Sequence, residues 1–248
     1  MGNLLIVESK NDKIFIEKLI QIMNLSNVTV DEPICIDEYS CLPGLSETAL
    51  TEAFEDLLDD LRRQAISKVG VIIDIDKKTE QERLDFVNSC IVEAFQKSVP
   101  LEKVNELIDV MTSNNISFQL GCHFMNVDGQ GELETVLKAI KTKDSPYADC
   151  LESWRECLKN NKKSIPGLNQ KSLLNPDWEP ISKKDFDKFW LSNYVRFDTC
   201  SKRERGAAKD KCSMEAFEYI LEHKSDIFKW DDPILEDLKE FLKLFAEN

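Results

Sequence analysis

The chain has 248 residues, 42% of them hydrophobic and 31% charged, and a formal net charge of −14. That length and composition suit a folded globular protein with a sizeable core, and no apolar run approaches the ~20 residues that a helix needs to cross a bilayer. The charge is uneven: residues 1–140 hold 25 acidic and 12 basic side chains, while residues 141–248 hold 21 and 20. The acidic half does not attract a phosphate backbone without metal ions, which argues against broad, non-specific nucleic-acid binding, though not against a small metal-charged site. Eight cysteines occur, none in a C-x-x-C pair. No basic, apolar leader precedes the first strand pattern, so they are expected to be reduced core thiols of a cytoplasmic protein. Only two histidines are present and neither sits usefully beside a cysteine pair, so no zinc site is expected.

Asn3 to Val7 reads as a buried strand, followed at once by Glu8 and by a helix opening at Ser9 to Asp12. Ile14, Phe15, Leu19, Ile22 and Met23 give that helix an apolar face. Val28 to Ile36 alternates like a strand, but Asp31, Glu32 and Pro33 interrupt it, which places it near a sheet edge. Cys41 to Leu45 reads as a loop. Ser46 caps a helix reaching about Ile66. Val69 to Asp76 is an apolar run ending in two carboxylates, as expected for a strand covered on both faces. Side chains alternate along a strand, so Asp74 and Asp76 share one side. Two carboxylates so placed stay ionised cheaply only with a cation between them, and an all-oxygen set suits Mg²⁺ or Mn²⁺. Thr79 and Glu82 form a capping-box pattern for the next helix. The apolar spacing then predicts a helix over 101–111, a strand over 117–126, a turn at 128–131 and a helix over 132–140.

Strands alternating with helices predict an α/β fold with a mainly parallel, Rossmann-like sheet flanked by helices. In such sheets ligands bind outside the carboxyl ends of the strands. Glu8, then Asp74 with Asp76, then Glu132 or Glu134 fall at three such ends.

Three segments together, Leu5 to Asp12, Ile72 to Asp76 and Gly131 to Leu137, resemble the Toprim domain. More narrowly, they resemble the small stand-alone Toprim-like proteins related to OLD-type nucleases. The resemblance covers roughly residues 3–140. It implies Glu8 as general base or metal-bridging carboxylate, Asp74 and Asp76 as metal ligands, and Asp12 and Glu134 as ligands or orienting groups for a second metal. Many Toprim domains place glycine after the first glutamate, whereas Ser9 and Lys10 stand here. What the resemblance implies is Mg²⁺- or Mn²⁺-dependent phosphodiester cleavage of nucleic acid, DNA or RNA undecided. A binding or regulatory protein on a degenerate Toprim scaffold is the other reading.

Blander readings compete at several positions. Asp12 closes a Ser-x-x-Asp pattern and could serve only as a helix-end residue. Glu132 and Glu134 fall in a helix's first turn, where acids favour the dipole anyway. His123 sits in an apolar strand pattern and reads as a core residue. Receiver-type chemistry is not matched, because adjacent acids after the first strand are missing, and no phosphate-binding glycine loop occurs. From about residue 144 the chain reads as an all-helical extension packed on an α/β domain of residues 1–143. Its roles could be to cover the site, bind substrate or form a homodimer contact. Basic side chains that could meet a substrate are Lys10 and, in the extension, Lys202, Arg203, Arg205 and Lys209, although Lys10 could as easily be solvated and a cluster such as 196–211 is more often a solvated helix face than a nucleic-acid groove.

Overall fold

The computed structural model describes residues 2–35, 44–96, 100–161, 181–207 and 211–246. Most of the loop at Cys41 and of the long connector from 160 to 180 lies outside these residues. The first strand, β1 (Gly2–Val7), runs into α1 (Lys10–Met23) with only Glu8 and Ser9 between them. Ser9 and Asp12 form a complete capping box at that junction. Then follow β2 (Val28–Val30), α2 (Glu47–Arg63) capped by Ser46, and β3 (Ile66–Asp74). A second capping box, Thr79 with Glu82, opens α3 (Glu80–Phe95). β4 (Ile108–Met111), β5 (Ser117–Met125) and α4 (Leu133–Ala139) complete this part.

The five strands lie in the order β2-β1-β3-β5-β4. β1, β2, β3 and β5 run parallel, and β4 pairs antiparallel with β5. β2 is the short edge strand expected from Asp31, Glu32 and Pro33. Residues 101–111, where the spacing predicts a helix, instead hold an irregular stretch and β4. Asn105 adopts a left-handed φ of 61°, which no helix interior accommodates, and its N–H bonds to the Cys122 carbonyl. Beyond it Val110 is buried while Asp109 and Met111 are exposed, a period of two rather than 3.6.

One face of the sheet presents Ile6, Val69, Val71, Ile73, Leu120, Cys122 and Phe124 to the apolar sides of α2 and α3, among them Leu50, Phe54, Val87, Ile91 and Phe95. The opposite face has a floor of glycine. Gly70 and Gly121 are direct neighbours across β3 and β5. A Cβ on Gly70 would stand 2.7 Å from the Phe245 ring, and one on Gly121 would stand 3.2 Å from the Phe241 ring. Both rings belong to the last helix, α9 (Glu236–Ala246), whose stripe Leu238, Phe241, Leu242 and Phe245 is fully buried. Asn3 donates to the Phe245 carbonyl and Lys68 to that of Leu244 at 2.6 Å, which fixes the helix end beside β1 and β3.

The chain accordingly divides into two compact units, Met1–Ala139 with Trp230–Asn248, and Ile140–Lys229. The last helix, read from the sequence as part of the extension, belongs to the first unit. The reason is the glycine floor, over which the Phe241 and Phe245 rings pack beside Leu5 and Leu107. The second unit is helical, as expected: α5 (Pro146–Asn161), α6 (Lys183–Asn193) running into a π-helical turn at Tyr194–Asp198, α7 (Lys202–Ala207) and α8 (Phe217–His223). Its core holds Phe186, Trp190, Tyr194, Phe217 and Phe228. Cys200 and Cys212 form a disulfide across α7, and Cys35 is disulfide-bonded too, so the expectation of uniformly reduced thiols is corrected. Cys90 and Cys122 are buried thiols, Cys150 and Cys157 exposed ones. Among the described residues no helix is long and apolar enough to cross a membrane.

His123 lies on the glycine face of β5, stacked on Phe241 at 5.7 Å, and donates from Nδ1 to Asn105 Oδ1 at 2.8 Å. It is the core residue its pattern suggests. Burial pushes its pKa down from 6.5 to about 4. Above pH 6.5 the imidazole is neutral in both folded and unfolded chains. Between 6.5 and about 4 only the unfolded chain takes up the proton, so stability falls with pH across that window. Going from pH 7 to pH 4 should therefore cost the native protein about 3 kcal/mol more than it costs His123→Gln. Urea unfolding of both proteins at the two pH values measures this, and parallel losses would refute it.

Candidate metal centre

The carboxyl ends of β1 and β3 lie side by side, and their acids meet there. Glu8 follows β1 directly and is buried. Its Oε2 accepts the backbone N–H of Asp74 at 3.2 Å, tying the two strand ends together. Asp74 is the last residue of β3 and is also buried. Its Oδ1 accepts from the N–H of Leu133, the first residue of α4, at 3.1 Å. The first N–H of α4 is thus satisfied by this carboxylate.

Asp76 reaches the same point by a route that strand alternation does not describe. β3 has already ended, and Asp76 has a left-handed φ of 56°. It exchanges two backbone hydrogen bonds with Gly131, at 2.9 and 3.0 Å. Gly131 itself has φ 105°, and a Cβ there would stand 2.6 Å from Thr135 Oγ1, so glycine is required. This clasp carries Glu132, the next residue, to the cluster. One carboxylate oxygen from each of Asp74, Asp76 and Glu132 lies within 4.8 Å of the others. That spacing and an oxygen-only donor set fit one hard divalent cation.

Glu134 does not join these three. It lies one step into α4, half-buried, and its charge is felt at Asp12. Asp12 is buried, with Oδ2 engaged by the Ser9 N–H at 2.9 Å and the Ser9 hydroxyl at 2.5 Å. Its Oδ1 has no hydrogen-bond partner among the described residues. Burial, then the charge of Glu8, and more weakly that of Glu134, push its pKa up to about 7. Asp12 therefore both caps the helix and keeps one oxygen in the acidic interior. The five expected carboxylates fall into two groups, Asp74 and Asp76, joined by Glu132, and Glu8 with Asp12 and Glu134.

Arg83 links the groups. It lies in the first turn of α3 and is buried. Nε donates to the Asp74 carbonyl at 2.7 Å, and Nη2 lies 3.2 Å from Asp76 Oδ2 and 3.7 Å from Glu8 Oε2. The guanidinium rests over the Phe86 ring at 4.9 Å. Sequence reasoning passed over this residue. The signal was an arginine on the apolar stripe formed by Val87, Cys90, Ile91 and Ala94, where a charge without a partner would be costly. Of the basic candidates, Lys10 is exposed in α1, Lys202 and Arg203 are exposed on α7, and Arg205 is half-buried there. Lys209 lies outside the described residues.

The fold and this cluster define an α/β protein with an acidic centre at the carboxyl ends of a mainly parallel sheet. Residues 2–247 match the family described as "Protein of unknown function (DUF3226)", and the chain belongs to that family. No curated protein and no solved structure matches the chain.

Proposed function

We propose that this protein performs divalent-metal-dependent phosphodiester chemistry on nucleic acid, as a Toprim-type nuclease using Mg²⁺ or Mn²⁺. The observation that carries the reading is the convergence of Asp74, Asp76 and Glu132 within 4.8 Å at the strand ends. Those three residues would hold the ion. When bound, it supplies polarisation of a phosphoryl oxygen and a water of lowered pKa. The chain's own part is positioning and proton handling. Glu8, held by the Asp74 N–H and facing Arg83, would take a proton from an attacking water. Arg83 keeps Glu8 and Asp76 in register and offsets their charge before substrate arrives.

A second reading rests on that same arginine. A guanidinium already neutralising Glu8 and Asp76 is what a non-catalytic binding protein on a degenerate Toprim scaffold would retain. Mn²⁺ binding followed by electron paramagnetic resonance separates the two. The native protein should bind, and Asp74→Asn/Asp76→Asn should weaken binding by about 100-fold or more, since loss of supporting groups alone costs 10–100-fold. If neither protein binds Mn²⁺, the metal mechanism fails and the second reading stands.

A further inference from the structure

Contiguous exposed apolar patches, unlike single exposed side chains, mark interaction sites. Among the described residues all four exposed large aromatic side chains, Tyr147, Trp154, Phe189 and Phe197, lie in the second unit. Tyr147 and Trp154 are seven residues apart on α5, hence on one face and about 10 Å apart along it. Each is matched across the neighbouring element: Trp154 meets Phe189 of α6 at 5.8 Å, and Tyr147 meets Phe197 of the π-helical turn at 6.1 Å. The rings form two pairs along one seam.

Cations stand beside them. The guanidinium groups of Arg196 and Arg205 lie 5.7 and 5.4 Å from the Phe197 ring. Arg205 is held there by the Cys200 carbonyl at 2.6 Å, and the Cys200–Cys212 disulfide anchors the start of its helix. Lys202 and Arg203 stand exposed on the same helix. Two nearby acids are already engaged. Asp198 accepts the N–H groups of Tyr147 and Ala148, both at 3.0 Å, and Glu204 pairs with Lys224 at 2.7 Å. The charge of the whole unit agrees: it holds 18 basic and 15 acidic residues, against 14 and 31 in the first unit.

We propose that the α5–α6 seam of the second unit is a binding face for single-stranded nucleic acid, with bases stacking on Tyr147 and Phe197 and phosphates meeting the arginine and lysine side chains of residues 196–205. Exposed ring faces and flanking guanidinium groups are what unpaired bases recognise, and a duplex hides its base faces. The choice of nucleic acid as ligand rests on the functional reading above; the face itself does not involve the acidic centre.

The test is fluorescence anisotropy with a labelled 20-nucleotide oligo(dT) and with a duplex of equal length, in EDTA at low salt. Native protein should bind the single strand at least about tenfold tighter than the duplex, and Tyr147→Ala/Phe197→Ala should lose about tenfold or more, the scale of one stacked base. Lys202→Gln/Arg203→Gln should lower the salt slope by about 1.4, at roughly 0.7 per lost phosphate contact. Circular dichroism confirms folding, and Tyr147→Ala alone, the most exposed position, serves if the double variant unfolds. Unchanged binding by folded aromatic variants, a preference for duplex, or no binding by native protein overturns the proposal. EDTA keeps the outcomes apart: strand binding without Mn²⁺ binding sinks the metal mechanism only, and the converse sinks this face only.

Discussion

Arg83→Met should destabilise the metal-free protein by about 3–5 kcal/mol, the usual cost of removing one partner from a buried ion pair. Methionine keeps the apolar stem over Phe86 but removes the guanidinium that faces Glu8 and Asp76. The side chains of Arg83 and Glu8 are 6% and 7% exposed, so water cannot screen the charge left behind. The Asp74 carbonyl also loses its Nε donor. A divalent ion should restore part of the loss, because it binds only the folded cluster. Urea unfolding in EDTA and in Mn²⁺ measures both effects. Equal stability of native and variant protein in EDTA would show that Arg83 is not the internal counterion, and absence of Mn²⁺ rescue would count against the metal centre.

Phe241→Ala should cost a further distinct amount, again about 3–5 kcal/mol, by opening a cavity between α9 and the sheet. The ring is fully buried, 5.1 Å from Phe245 and 5.7 Å from His123, above Gly121. Gly121 beneath it has no side chain with which to fill the space. Hydrogen exchange should show the amides of β3 and β5 losing protection, while those of α6 and α8 in the second unit keep theirs. Uniform loss across both units, or none, would contradict this account of the glycine floor.

How much of this could be read from residues alone differs by element. The apolar run of β3, the two capping boxes and the acids at strand ends were legible because each is a local pattern with a short-range cause. Glu8, Asp74 and Asp76 were legible for the same reason. Asp76 arrives through a left-handed turn clasped to Gly131, however, and pleat alternation cannot foresee a pairing 55 residues away in sequence. The same clasp selects Glu132 over Glu134, two acids that helix-end propensity cannot separate. β4 was masked because Leu101, Val104 and Ile108 fit a helical spacing until Asn105 turns the backbone. The place of α9 was invisible because its partners, Gly70 and Gly121, have no side chains to announce an apolar face.

The return of α9 bears on how the chain is made. Residues 140–229 leave the first unit and come back side by side, with the Lys229 N–H bonded to the Ile140 carbonyl at 2.6 Å. The second unit is thus a single excursion that can close on itself while synthesis continues. The sheet it interrupts cannot: Phe241 and Phe245 follow that excursion in the chain, and until they are made one face of the sheet is open to water. The contact between Asn3 and Phe245 joins residues 242 positions apart, and such non-local contacts slow folding. A nascent chain halted before residue 236 carries its acids but an unfinished core, so the sheet that holds the acidic centre is completed only once α9 has been made.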